Sequence, residues 1–252
     1  MMMLEGRVAF LTGAGSGIGR AGALALAREG AIVTVTDLDG ARAAAVADDI
    51  ASAGGKAEAF ALDAADETAV TAAINRVAAR GRLDILHSHA GIQIPGGLMD
   101  VTCDDMDASW RLNVRAHFIA ARAAMAHMTA RRAGSIIITA SNSGIQFDRG
   151  MIAYTTTKHA VIAMARQIAA DHARFNVRCN ALCPGFVDTP FNQGFEAQMG
   201  GRKKLEAYVA GSIPMGRWAT VEDIAASIVY LASDQSGFMT GHALVVDGGE
   251  CL

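Results

Sequence analysis

The stretch LTGAGSGIGRAG, Leu11 to Gly22, joins an apolar run (RVAFLTG) to a helical pattern that continues from Ile18 to Glu29. Gly13, Gly17 and Gly19 form a GxxxGxG pattern there, one shift away from the more familiar GxGxxG. Glycines in such a place permit a tight turn and a close backbone approach. The bare N–H groups of the following helix then suit a pyrophosphate. Alone the motif is weak; its place between a strand and a helix gives it weight.

Outward from this loop, short apolar runs alternate with amphipathic stretches to the end of the chain. The runs are RVAFLTG, AIVTVTD, AEAFALD, LDILHSHAG, SIIITAS, NVRCNALCPG and HALVVDGG. Helical patterns cover 18–29, 40–53, 67–79, 103–131, 152–173 and 221–233. Buried, non-alternating strands separated by helices predict an α/β fold, a Rossmann-like doubly wound parallel sheet of seven strands with helices on both faces. No Pro-rich or Ser-rich linker interrupts the pattern, so residues 1–252 are expected to form one domain. The segment 186–220 is rich in Gly and Met and reads as a long irregular loop, hence a substrate lid.

Composition excludes several classes. The 252 residues carry a net charge of -3 with Lys and Arg scattered, so no basic footprint for nucleic acid exists. The uncharged stretch near 85–99 is broken by Gly, Pro, Ser and His, which excludes a membrane span. The start, MMMLEGRVAF, has an acid and no long apolar region, unlike a signal peptide. Four cysteines (103, 179, 183, 251) show no framework spacing, and the histidines show no metal spacing. A reduced, cytoplasmic protein with no metal is expected.

Two further positions carry chemistry. Asp37 ends the second run, eighteen residues beyond Gly19, where a carboxylate can accept both ribose hydroxyls of an adenosine. Asp39 is better placed to cap the next helix. Asp63 ends the third run and suits either the adenine edge or a helix cap. In AYTTTKHAV, Tyr154 and Lys158 stand four residues apart at the start of a helix, so a phenol and an ammonium share one face. An ammonium about 5 Å from a phenol, at an effective dielectric near 20, favours the phenolate by roughly 3 kcal/mol, or about two pK units. Tyr154 is therefore expected to titrate near working pH, as a general acid-base needs.

With TGAGSGIG at the front and YTTTK in the second half, the chain resembles the short-chain dehydrogenase/reductase family. The resemblance spans the chain and includes RLNVRAHF with Asn113, SIIITAS ending at Ser141, PGFVDTP from Pro184, and VVDGG. Ser141 lies thirteen residues before Tyr154, as the family's catalytic serine does. The resemblance implies catalytic roles for Asn113, Ser141, Tyr154 and Lys158. Ser141 donates to the substrate oxygen, Lys158 also holds the nicotinamide ribose, and Asn113 anchors a relay water. It places the cofactor against Gly13, Ser16, Gly17, Ile18 and Gly19, against Asp37, Leu38, Asp63 and Ala64, and against His89, Ala90 and Gly91. Pro184, Gly185, Val187 and Thr189 complete that surface, Thr189 at the carboxamide or as a plain turn hydroxyl. One departure is SHAG, where Ser88 and His89 replace the usual asparagines. His89 is expected to tie the fourth strand to its neighbour, since imidazole offers one donor and one acceptor.

The expected cofactor is NAD: Asp37 faces the position of a 2′-phosphate, Leu38 supplies no cation, and Ser16 stands where phosphate-preferring relatives often carry a basic residue. The substrate pocket is expected from Gln93, Ile94, Ser143, Gln146, Phe147, Phe186, Phe191 and Met199, apolar walls with a few neutral hydrogen-bonding groups. Arg149 and the cluster 202–204 are the cations nearest to it. An uncharged secondary alcohol, with a polyol included, and its ketone fit such a pocket. The alternatives are a 3-oxoacyl-carrier-protein reductase and a non-catalytic dinucleotide-binding protein. The resemblance also implies a homotetramer, with Ala116, Ala120, Ala123, Ala124, Ala160 and Ala163 as stripes that allow close packing between subunits or face the subunit's own sheet.

Overall fold

The apolar runs fold as seven strands: β1 (Val8–Thr12), β2 (Ile32–Asp37), β3 (Lys56–Ala61), β4 (Ile85–Ser88), β5 (Gly134–Thr139), β6 (Val177–Pro184) and β7 (Ala243–Val246). In the computed structural model, which describes residues 2–252, they form one sheet in the order β3-β2-β1-β4-β5-β6-β7. Every neighbouring pair is parallel. The order reverses between β1 and β4, and in an open parallel sheet the crevice at that point is where ligands bind.

Helices cover both faces. On one side α1 (Gly17–Arg28), α2 (Gly40–Ser52) and α9 (Val221–Ala232) bury Leu26, Val46, Ile50 and Ile228 against Val33, Val35 and Ile137. On the other side α3 (Glu67–Ala78), α5 (Ala116–Arg131) and α6 (Ile152–His172) bury Ile74, Ile119, Met128 and Val161 against Phe10, Leu86 and Ile136. Asp39 and Asp66 cap α2 and α3 by accepting backbone N–H groups. No described helix is long and apolar enough to cross a membrane.

Two expectations need correction, and one pair of alternatives is decided. The long helix 103–131 is split into α4 (Cys103–Trp110) and α5 by a π turn at Arg111–Arg115, and Asn113 lies in that turn. An extra residue in a turn re-aims side chains, which is why π turns gather at functional sites. The segment 186–220 is not an irregular loop: it holds α7 (Gln193–Gln198) and α8 (Arg202–Ser212). Only Leu205 and Val209 of α8 are buried, too sparse an apolar stripe to be read in advance. Finally, Ala116, Ala120, Ala123 and Ala124 are buried within the subunit, and Ala160 packs against that same core. They close the helix-sheet distance, and only Ala163 of the six is exposed.

Candidate active site

The loops at the C-terminal ends of the strands enclose a cavity of about 510 Å³. One end is formed by Gly13, Ser16, Gly17 and Ile18 after β1, Asp37 and Leu38 after β2, and Asp63 and Ala64 after β3. The other end is formed by Ser141 and Ser143 after β5, and by Tyr154 and Lys158 on α6. His89, Ala90, Gly91 and Gln93 after β4, and Pro184, Gly185, Phe186, Val187, Thr189 and Phe191 after β6, line the walls between them.

The glycine loop fits a dinucleotide by its own geometry. A Cβ on Gly13, which has φ +63°, would stand 2.8 Å from Ala90 Cα, and one on Gly19 would stand 2.3 Å from the Gly13 carbonyl oxygen. Gly19 therefore shapes the loop from behind without lining the cavity. At Gly17, φ +51°, a Cβ would meet nothing closer than Thr189 at 3.5 Å, so its backbone is open to the cavity. Ser16, the residue before α1, makes no side-chain cap, which leaves the first N–H groups of the helix free for an anion. Asp37 Oδ2 accepts from Gly15 N at 2.9 Å, joining the carboxylate to this loop. Asp63 lines the cavity and accepts from Ala65 N, while the α3 cap falls to Asp66.

At the inner end, burial governs the ionisable pair. Lys158, 2% exposed, donates to the Thr139 carbonyl at 2.9 Å, and its Nζ lies 5.4 Å from the centre of the Tyr154 ring. Loss of solvent pushes the Lys158 ammonium down to about 8 and the Tyr154 phenol up to about 12. Burial thus opposes the push that Lys158 gives Tyr154 towards working pH; the positive nicotinamide of an oxidised cofactor, which the expectation also counts, would push the same way as the ammonium.

Asn113 stands behind the cavity, fully buried. Its amide accepts from Ile92 N at 2.8 Å and donates to Ile92 O at 2.9 Å and to Thr157 Oγ1 at 3.1 Å. It clamps the loop after β4 to α6, and a Cβ on Gly91 would meet both its Oδ1, at 3.1 Å, and the Lys158 Nζ, at 3.6 Å. His89 Nδ1 and His87 Nε2 both meet Thr139 Oγ1, at 3.0 and 2.9 Å, tying β4 to β5 as expected. Burial, and then the charge of Lys158, lower His89 to about 4, so it is a neutral ring at working pH.

Several expected substrate residues lie elsewhere. Phe147 is 83% exposed and stacks on His159, centroids 4.9 Å apart. Gln146 and Met199 are not part of the cavity wall, nor is Arg149. Arg202 is committed to Asp188 and Glu206. Phe186 is packed among Phe195, Tyr208 and Trp218, so it holds α7 and α8 to the loop after β6 as well as facing the cavity. Residues that no motif announced also line it: Arg42 at the end with Asp37, paired with Asp39 at 3.2 Å, and Asn142, Asp148 and Phe195 at the other.

A family model described as enoyl-(acyl carrier protein) reductase matches residues 13–250. A 2-keto-3-deoxy-L-fuconate dehydrogenase of Xanthomonas campestris is 39% identical, the match covering 98% of this chain and 80% of that one. A rat protein named dehydrogenase/reductase SDR family member 6 is 36% identical over the whole length of both. A gluconate 5-dehydrogenase from Burkholderia cenocepacia, solved with NADP and tartrate, superposes with a TM-score of 0.93 at 34% identity, covering 99% of this chain and 96% of that one. With the glycine loop, Ser141, Tyr154 and Lys158 around one cavity and this breadth of similarity, the chain belongs to the short-chain dehydrogenase/reductase family.

Proposed function

We propose that the protein is an NAD-dependent oxidoreductase that interconverts an uncharged secondary alcohol, polyols included, and its ketone. The observation that carries the reading is that Ser141, Tyr154 and Lys158 converge at the end of the cavity opposite Asp37. A dinucleotide laid between them would rest its pyrophosphate on Gly17, Ile18 and the α1 N-terminus, and its adenosine ribose on Asp37. When bound, the nicotinamide supplies the hydride acceptor or donor.

The protein's own groups handle the proton. Tyr154 gives it to a ketone oxygen or takes it from an alcohol. Ser141 donates a hydrogen bond to the same oxygen as charge develops on it. Lys158 holds the nicotinamide ribose, and Asn113 fixes the backbone beside it. Because burial holds the phenol protonated, Tyr154 is poised as an acid; the positive charge of an oxidised nicotinamide is what would make it a base.

The names of the relatives point to sugar acids, whereas the substrate end here presents the Asp148 carboxylate and has Glu250 just behind Asn142. Such an end repels a carboxylate and accepts hydroxyl donors. The test compares a cyclic alcohol, a polyol, a hydroxy acid and a 3-oxoacyl thioester with NAD and NADP, followed by nicotinamide absorbance. A neutral alcohol with NAD should lead. Preference for the hydroxy acid, or for the thioester with NADP, would overturn the substrate and cofactor assignment.

A further inference from the structure

Glu250 lies on the segment after β7, half-buried, and its Oε2 accepts from Asn142 Nδ2 at 2.8 Å. Asn142, 6% exposed, follows Ser141, and its Oδ1 accepts the Ser141 hydroxyl at 3.1 Å. The turn that delivers Glu250 is built by Asp247, whose carboxylate accepts from Gly249 N at 2.9 Å and from Cys251 N at 2.8 Å. Gly248 holds φ +68°, and a Cβ there would stand 2.7 Å from Ile213 Cγ2, so the turn sits tight against the residue that ends α8. Tyr208 of α8 and Gln146 also face Glu250. The carboxyl thus sits between α8 and the loop after β5, and Asn142 links it to Ser141.

We propose that Glu250 is a positioning residue that, through Asn142, decides whether the Ser141 hydroxyl hydrogen is free for the substrate oxygen. The inference rests on the alcohol-ketone reading above. An ionised carboxylate only accepts hydrogen bonds, so Asn142 must turn its NH2 towards it. The carbonyl end of the amide then faces Ser141 and takes its hydrogen, leaving only lone pairs for the reacting oxygen. A protonated Glu250 can donate to Asn142 Oδ1 instead. The amide then turns over, its NH2 donates to Ser141 Oγ, and the hydroxyl hydrogen is released to the site. The groups facing Glu250 are the Asp148 and Asp247 carboxylates, the Tyr208 hydroxyl, the Cys251 thiol, and the amides of Asn142 and Gln146. Burial, then Asp148 and Asp247, raise the carboxyl to about 7, which puts both states within the neutral range.

The test is the pH profile of kcat for alcohol oxidation in the wild type and Glu250→Gln. It is read beside the Asn142 side-chain amide resonances of 15N-labelled protein, assigned by their loss in Asn142→Ala. In the wild type the amide pair should shift with a midpoint near neutrality, and in Glu250→Gln it should stay fixed. Above that midpoint the variant should turn over roughly three- to tenfold faster than the wild type, the rate equivalent of one net hydrogen bond. KM for the alcohol should change less than about twofold, because the effect falls on the developing charge. An amide pair that does not titrate, or identical pH profiles, overturns the proposal. If the wild type turns over no alcohol or ketone with either cofactor, the functional reading has failed instead, and the amide titration still decides whether Glu250 governs Asn142.

Discussion

At the scale of single residues the site is a contest between burial and charge. Tyr154 and Lys158 were legible from their spacing and from Ser141 thirteen residues earlier, but the outcome of that contest was not. A sequence shows that an ammonium is one helical turn away; it does not show that both groups are sealed from water. Lys158→Ala should lower both turnover and cofactor affinity, since in the proposed function one side chain serves the proton and the ribose; unchanged cofactor affinity in a binding titration would contradict the second role. Asp37 governs the other end. Facing a 2′-phosphate at about 4 Å, it would contribute repulsion on the order of 2 kcal/mol even when strongly screened. Asp37→Ala should therefore narrow the NAD over NADP preference in kcat/KM roughly tenfold or more. Arg42, paired with Asp39 at the same end, is the cation that would then meet the phosphate.

At the scale of elements, strands and long helices were readable because their periodicity is regular. What escaped notice were departures from that regularity. The π turn at Arg111–Arg115 leaves no mark in an apolar pattern, yet it sets the aim of Asn113. Likewise α8 carries two buried residues and a run of charges, so its helix is dictated by packing around Phe186 and not by its own stripe. Asn142, Asp148 and Glu250 belong to no motif, and only the folding of separate loops brings them to one end of the cavity. The Asn113 clamp gives a direct test. Asn113→Ala leaves the Ile92 N–H and C=O and the Thr157 hydroxyl short of partners, and should cost about 2–4 kcal/mol in urea unfolding. A loss below about 0.5 kcal/mol would mean that the loop after β4 is held by other contacts.

At the scale of the whole molecule, two fully buried histidines couple stability to pH. His87 and His117 are 0% exposed, and burial holds both well below the usual imidazole value. The native state refuses protons that the unfolded chain accepts below about pH 6.5. Their contribution is complete above that pH and is lost as pH falls, by up to about 1.4 kcal/mol per histidine per pH unit. Unfolding midpoints in urea should drop steeply between pH 6.5 and pH 5, and a flat profile would contradict neutral burial. For assembly we propose a homotetramer, with the half-exposed Trp110 and Phe118 on the outer faces of α4 and α5 in contact between subunits in place of the alanine stripe. A monomeric mass in light scattering at micromolar concentration would exclude it. The central claim is that this cavity performs hydride transfer with Tyr154 as its proton-transfer group, and Tyr154→Phe tests it most directly. The variant should bind NADH with nearly the wild-type affinity by fluorescence titration while alcohol oxidation is abolished; a variant that keeps a tenth of the wild-type kcat would contradict the account.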